Sequence, residues 1–178
     1  ELLMRWIELN SFIDMIYRSH PGNIPQKSCQ IYSNSDVTQH FIKFSNIFKL
    51  LSQYKLELMN NATNYGYPIV RHLYFNYPND ITILNVMNRK KTLDDDIITD
   101  DSYHIINEEF MLGDCLLMKP ILSPNISTTD IYIPNGKWIN YWNSNDIINS
   151  NGNVYKNINA PMGEPPVYVC NSWPYFLG

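Results

Sequence analysis

The feature that most constrains the fold of this chain is a change of hydrophobic period at Gly66-Tyr67-Pro68. Before it, Val37, Phe41, Phe44, Phe48 and Leu51 recur at alternating steps of four and three, joined by Ile47, Leu50, Tyr54 and Leu58. That spacing gives a helix whose apolar stripe covers nearly half its circumference. Ser35-Asp36 offers an N-cap, Asn64-Tyr65-Gly66 a C-terminal stop, and Pro68 forbids continuation. After it come only short β-prone runs separated by Pro, Gly and Asn: Ile69–Phe75, Cys115–Met118, Asp130–Ile133, Trp138–Trp142 and Pro166–Val169. The expectation is a helical first part and an antiparallel β-sandwich or meander after residue 66.

Upstream, Leu2, Leu3, Trp6, Ile7 and Asn10 fall at helical spacing over residues 1 to about 11, with Arg5 and Glu8 turned away. Phe12 to Tyr17 reads as a short, mostly buried strand whose only charge is Asp14. Pro21 then biases His20 towards an extended conformation, and Gly22-Asn23 and Pro25 continue the turn. His20 therefore sits at a strand's C-terminal end, where α/β barrels and open parallel sheets place ligand-binding side chains. Helix, strand and helix amount to one β/α unit with the end of its predecessor.

Composition narrows the function classes. A net charge of -4, with basic clustering confined to Arg89-Lys90-Lys91 beside aspartates, excludes a nucleic-acid partner. No run is long enough for a membrane-spanning helix, so no membrane partner is expected. The chain opens on ELLMRW without an initiator Met or a signal-peptide pattern, and is expected to be the C-terminal part of a longer protein. Cys29, Cys115 and Cys170 are odd in number and widely spaced, which predicts no disulfide framework and no zinc site and favours a reducing compartment. The aspartate-rich stretch at about 88–105 lacks calcium-loop spacing and reads as a solvated insertion, so neither metal nor cofactor is expected. The sequons at Asn61 and Asn125 are expected by chance in a chain so rich in Asn.

A family resemblance runs nearly the whole length. Glu1-Leu-Leu-Met-Arg-Trp6, Phe12 and Tyr17-Arg-Ser-His20 resemble the segment that closes the catalytic barrel in glycoside hydrolase family 31, the α-glucosidase and α-xylosidase family. Gly66-Tyr-Pro-Ile-Val-Arg71, Tyr77-Pro-Asn-Asp80, Phe110-Met-Leu-Gly-Asp114, Leu117-Met-Lys-Pro120, Tyr132-Ile-Pro134, Gly136-Lys-Trp138 and Ala160-Pro161 through Tyr168 resemble further landmarks in the same order. Arg18-Ser-His20 with Gly22-Asn23 and Pro25 is most similar to the sulfoquinovosidase-like branch, whose loop reads His-Glu-Gly-Asn; here Pro21 stands for the Glu. His72 and Lys119 replace a Pro and an Ala usual in the family.

The resemblance implies the end of a (β/α)8 barrel over residues 1–66 and a C-terminal β-sandwich over 67–178. It also implies an α-glycoside substrate, with His20 bonding the sugar at the cleavage subsite and Arg18 on the same strand face building the wall. Retaining glycosidases need two carboxylates about 5 to 5.5 Å apart. The family carries them on earlier barrel strands, and neither motif occurs in this sequence, so no catalytic residue is assigned here and Asp14 reads as structural. The missing earlier part of the barrel is an expected partner. Trp138, Tyr141 and Trp142 could form a sugar platform but read first as packing, His40 as a surface or interface residue, His104 as unpartnered, and Arg71 as a buried ion pair or domain-joining contact. The implied activity is retaining α-glycoside hydrolysis; the alternative is a glycosidase-like or carbohydrate-binding protein without catalysis.

Overall fold

The structure, a computed structural model, describes residues 1–13, 22–88, 101–170 and 173. Helix α1 spans Leu2–Ser11, and a 3-10 turn at Pro25–Lys27 leads to α2 (Ser35–Leu50) and α3 (Ser52–Tyr65). The long apolar stripe is thus carried by two consecutive helices joined at Leu51, whose N–H still donates to Ile47 O and whose carbonyl still accepts from Lys55 N. The N-cap is Asn34, one residue earlier than Ser35-Asp36: its Oδ1 accepts from Val37 N at 2.9 Å. Gly66 closes α3 at φ 75°, the left-handed cap that favours Gly.

Beyond Gly66 lie β1 (Val70–Arg71), the short helices α4 (Leu73–Asn76), α5 (Ile81–Met87) and α6 (Asp101–Asn107), then β2 (Phe110–Leu112), β3 (Leu116–Met118), β4 (Thr128–Ile133), β5 (Gly136–Asn140), β6 (Asn143–Ser150), β7 (Asn153–Asn159) and β8 (Val167–Cys170). A six-stranded antiparallel sheet has the order β1-β2-β3-β8-β5-β6, and β4 pairs with β7 in a second, two-stranded sheet.

The period-two alternation of the large sheet divides its side chains between two cores. Leu112, Leu116, Met118, Ile139, Val167 and Val169 face Phe44, Ile47, Leu51, Tyr54 and Leu58 of the helices. Their neighbours Met111, Leu117, Trp138 and Tyr168 face Ile131 and Ile133 of β4 and the short helices through Leu73, Ile83 and Ile106. Helices, large sheet, and a third layer of β4–β7 with α4–α6 therefore stack in that order. β8, buried along Val167–Val169, is central.

Beyond the split stripe and the shifted N-cap, the molecule departs from the sequence expectation in four more places. The run Ile69–Phe75 pairs only at Val70–Arg71, because His72 Nδ1 accepts from Tyr74 N and starts α4. The end of the acidic insertion is helical from Asp101, with Ile105 and Ile106 buried; residues 89–100 lie outside the described residues. Cys115 and Cys170 form a disulfide, with Cα atoms 4.9 Å apart, because β8 returns beside β3 and brings together residues 55 apart in sequence. Finally, Arg5 and Glu8 do not turn away. They are 8% and 1% exposed, whereas Leu2 and Trp6 are 72% and 52% exposed.

Candidate functional site

Arg18 and His20, with Asp14 and Pro21, fall in the segment 14–21, outside the described residues. The frame that holds both ends of this segment is described. On the entering side, α1 ends at Ser11, whose carbonyl accepts from Lys55 Nζ at 2.9 Å, and Phe12 follows fully buried. The Phe12 ring meets Phe44 of α2 edge-on at 6.4 Å and, from the end of β5, Tyr141 at 5.4 Å and Trp142 at 6.1 Å. Such T-shaped pairs add to plain burial. The chain thus enters the segment from a knot of four aromatic rings at the helix–sheet boundary. On the leaving side Gly22 has φ 67° and the Pro25–Lys27 turn follows.

A charged cluster beneath α1 fixes the same boundary. Arg5 donates to Glu8 Oε2 at 2.9 Å and to the carbonyls of Ile126, Ala160 and Pro161 at 2.9, 3.0 and 3.3 Å. Glu8 Oε1 accepts from Gly163 N at 2.6 Å. From α2, His40 Nε2 donates to Met4 O at 3.0 Å, and Lys43 Nζ donates to Gly163 O at 2.7 Å. Burial pushes the Glu8 carboxyl up, against the pull of Arg5 and the Gly163 N–H, and pushes the His40 imidazole down. These charges are spent on backbone groups and on one another, so the cluster joins α1, α2 and loop 160–165.

The other aromatic and charged residues that stood out in the sequence have structural partners. Trp138 and Tyr141 are buried in the two cores. Trp142 is half-buried, with its indole N–H donating to Pro165 O at 2.6 Å and the Lys43 ammonium 4.7 Å above its ring. His40 is an interface residue. His104 is exposed on α6 against Tyr103. Arg71 donates to Pro68 O at 2.6 Å and to Asn76 Oδ1 at 3.1 Å, with no ion pair among the described residues, and Asn76 in turn donates to Gly113 O at 2.9 Å. No cluster of three metal-ligating side chains occurs among the described residues, and no described helix is long and apolar enough to cross a membrane.

A six-stranded antiparallel sheet capped by helices on one face and by the β4–β7 pair with short helices on the other defines a layered, β-rich module. Residues 66–171 match the model of the glycosyl hydrolase family 31 C-terminal domain, and the chain belongs to that family. It is 27% identical over 168 residues to the sulfoquinovosidase of Escherichia coli (strain K12), covering 94% of this chain and 21% of that protein. It is 29% identical over 161 residues to an alpha-glucosidase of Schizosaccharomyces pombe, covering 87% of this chain and 14% of the relative. The chain therefore spans about a fifth or less of the length of these relatives. A family 31 sulfoquinovosidase from E. rectale, solved with an aza-sugar inhibitor, shares the fold at a TM-score of 0.70 and 20% identity, over 97% of this chain and 22% of that one.

Proposed function

We propose that the complete protein is a retaining α-glycosidase and that this chain is its C-terminal part. Residues 1–66 supply the last strand and helix of the (β/α)8 catalytic barrel, and residues 67–178 the β-sandwich domain with its insertion at about 88–105. The observation that carries this reading is the family match over residues 66–171, in relatives whose names are those of glycosidases. Leu2 and Trp6 support it, because an apolar helix face left in water marks a surface that earlier barrel elements would cover.

His20 and Arg18 hold the sugar at the cleavage subsite. A hydrogen bond from His20 strengthens as the oxocarbenium-like transition state develops, so it contributes to rate as well as to binding. The two carboxylates, nucleophile and acid/base, come from the part of the barrel that precedes residue 1, and the 178 residues alone turn over no glycoside. An α-sulfoquinovoside is the first substrate class and an α-glucoside the second, on the strength of the Arg18-Ser-His20-x-Gly22-Asn23-x-Pro25 pattern.

The test is a side-by-side assay of the complete protein on aryl α-sulfoquinovoside and aryl α-glucoside, with the anomer of the first product read by proton NMR. Turnover with retained configuration and a higher kcat/KM on the sulfonated sugar is expected. An equal or higher kcat/KM on the glucoside removes the branch assignment alone. No turnover of any α-glycoside by a folded protein that binds sugar assigns the non-catalytic alternative.

A further inference from the structure

A polar cleft on the sheet side of the molecule is lined by described residues remote in sequence from segment 14–21. Its volume is about 430 Å³, within the range of small-molecule sites. Three parts of the fold make its walls. Asn143 and Asp146 come from the start of β6, Thr128 and Asn159 from the paired ends of β4 and β7, and Glu164 from loop 160–165. Trp142 forms the apolar part of the lining.

The walls are fixed by hydrogen bonds, and three side chains on them remain uncommitted. Trp142 is held by its bond to Pro165 O and by Lys43 above the ring. Asp146 is oriented by Asn140 Nδ2 at 2.9 Å, and Asn140 Oδ1 accepts from Trp142 N at 2.9 Å. Thr128 and Asn159 are direct cross-strand partners, so their side chains stand on one face of the β4–β7 ribbon. Both are exposed, as is Glu164, and none of these three side chains has a hydrogen-bond partner among the described residues.

The chemistry of this lining selects a ligand class. Among the described residues no Lys or Arg lines the cleft and two carboxylates do, which disfavours an anion. Two carboxylates and three amides beside a Trp suit a neutral ligand that both donates and accepts many hydrogen bonds and has an apolar flank. Carboxylate oxygens accept from vicinal hydroxyls, amide NH2 groups donate back, and C–H faces rest on the indole. We propose that the cleft between the β5–β6 turn, the β4–β7 ends and loop 160–165 is an accessory binding site for a neutral oligosaccharide. It rests on the second substrate class, an α-glucoside, and would hold chain units remote from the bond being cleaved, raising the local concentration of a polymeric substrate.

Titration of the complete protein with thio-linked maltotriose, an analogue resistant to hydrolysis, tests this directly. A class of site that depends on the cleft residues is expected, beside a second class wherever the active site also accepts the neutral sugar. The double variant Asn159→Ala/Glu164→Ala should weaken one class at least tenfold while its melting temperature and its kcat/KM on a small aryl α-glycoside stay those of the parent. Thr128→Val, which keeps the shape and removes the hydroxyl, should weaken the same class less. No binding by the parent, or unchanged binding in both folded variants, overturns the proposal. Failure of the catalytic reading is separable, because it shows as absent turnover while the titration still reports on the cleft.

Discussion

At the scale of single residues, two glycines with similar backbones carry different loads. Gly66 and Gly113 have φ of 75° and 63°, but a Cβ at Gly66 meets nothing, whereas at Gly113 it would collide with Tyr54 Oη and Leu58. Tyr54 cannot yield cheaply, because its hydroxyl donates to Leu112 O at 2.8 Å in a buried setting. Gly113→Ala should therefore cost about 2–4 kcal/mol in chemical denaturation, and Gly66→Ala only about 1 kcal/mol for the left-handed backbone. Glu109 carries a second residue-scale prediction. Burial pushes its carboxyl well above the usual range, although one oxygen accepts from Tyr132 N at 2.7 Å. The folded state thus keeps a proton that the unfolded state releases near pH 4.5, and the group's contribution to stability falls as pH rises. Glu109→Gln keeps the acceptor and removes the titration. Its stability relative to the parent should increase between about pH 5 and pH 7 in parallel urea melts.

At the scale of elements, α1 shows how a helix can be placed correctly by its period and oriented only in part. Ile7 of its apolar stripe packs in the core with Leu3 against it, yet Leu2 and Trp6 face water while Arg5 and Glu8 are buried, because the guanidinium finds three backbone carbonyls of the sheet-side loops. No local pattern reveals acceptors as distant in sequence as Ile126 and Pro161. Arg5→Ala would leave Ala160 O and Glu8 Oε2 buried without this donor, and should cost about 3–5 kcal/mol in denaturant melts. Strands β6 and β7 are also illegible. Their runs NSNDIINS and NVYKNIN are rich in Asn, which local propensity assigns to turns, and they hold as strands by pairing with β5 and β4. The central apolar runs of β3, β4, β5 and β8 are legible, because burial leaves a dense apolar signal, β-branched and aromatic in all but β3. Lys119 explains its own departure from the family pattern: it is buried, donates to Ile105 O at 3.2 Å and to Glu108 Oε2 at 2.8 Å, and so pins α6 to the end of β3.

At the scale of the whole molecule, the helices and the large sheet share a single core, and the segment bearing Arg18 and His20 is entered from that core at Phe12. The Arg-Ser-His motif can be read from sequence because turn residues mark it. The accessory cleft cannot, since its walls come from strands and loops that only the sheet topology brings together. The task proposed for the helix–sheet junction is to hold a sugar-binding imidazole in place. The most direct measurement of that role is kcat/KM and melting temperature of the complete protein with and without His20→Ala. The expected result is a fall in kcat/KM corresponding to about 2–4 kcal/mol of transition-state stabilisation, with the melting temperature unchanged. Unchanged kinetics with a lowered melting temperature would contradict the proposed role and leave His20 as a structural histidine.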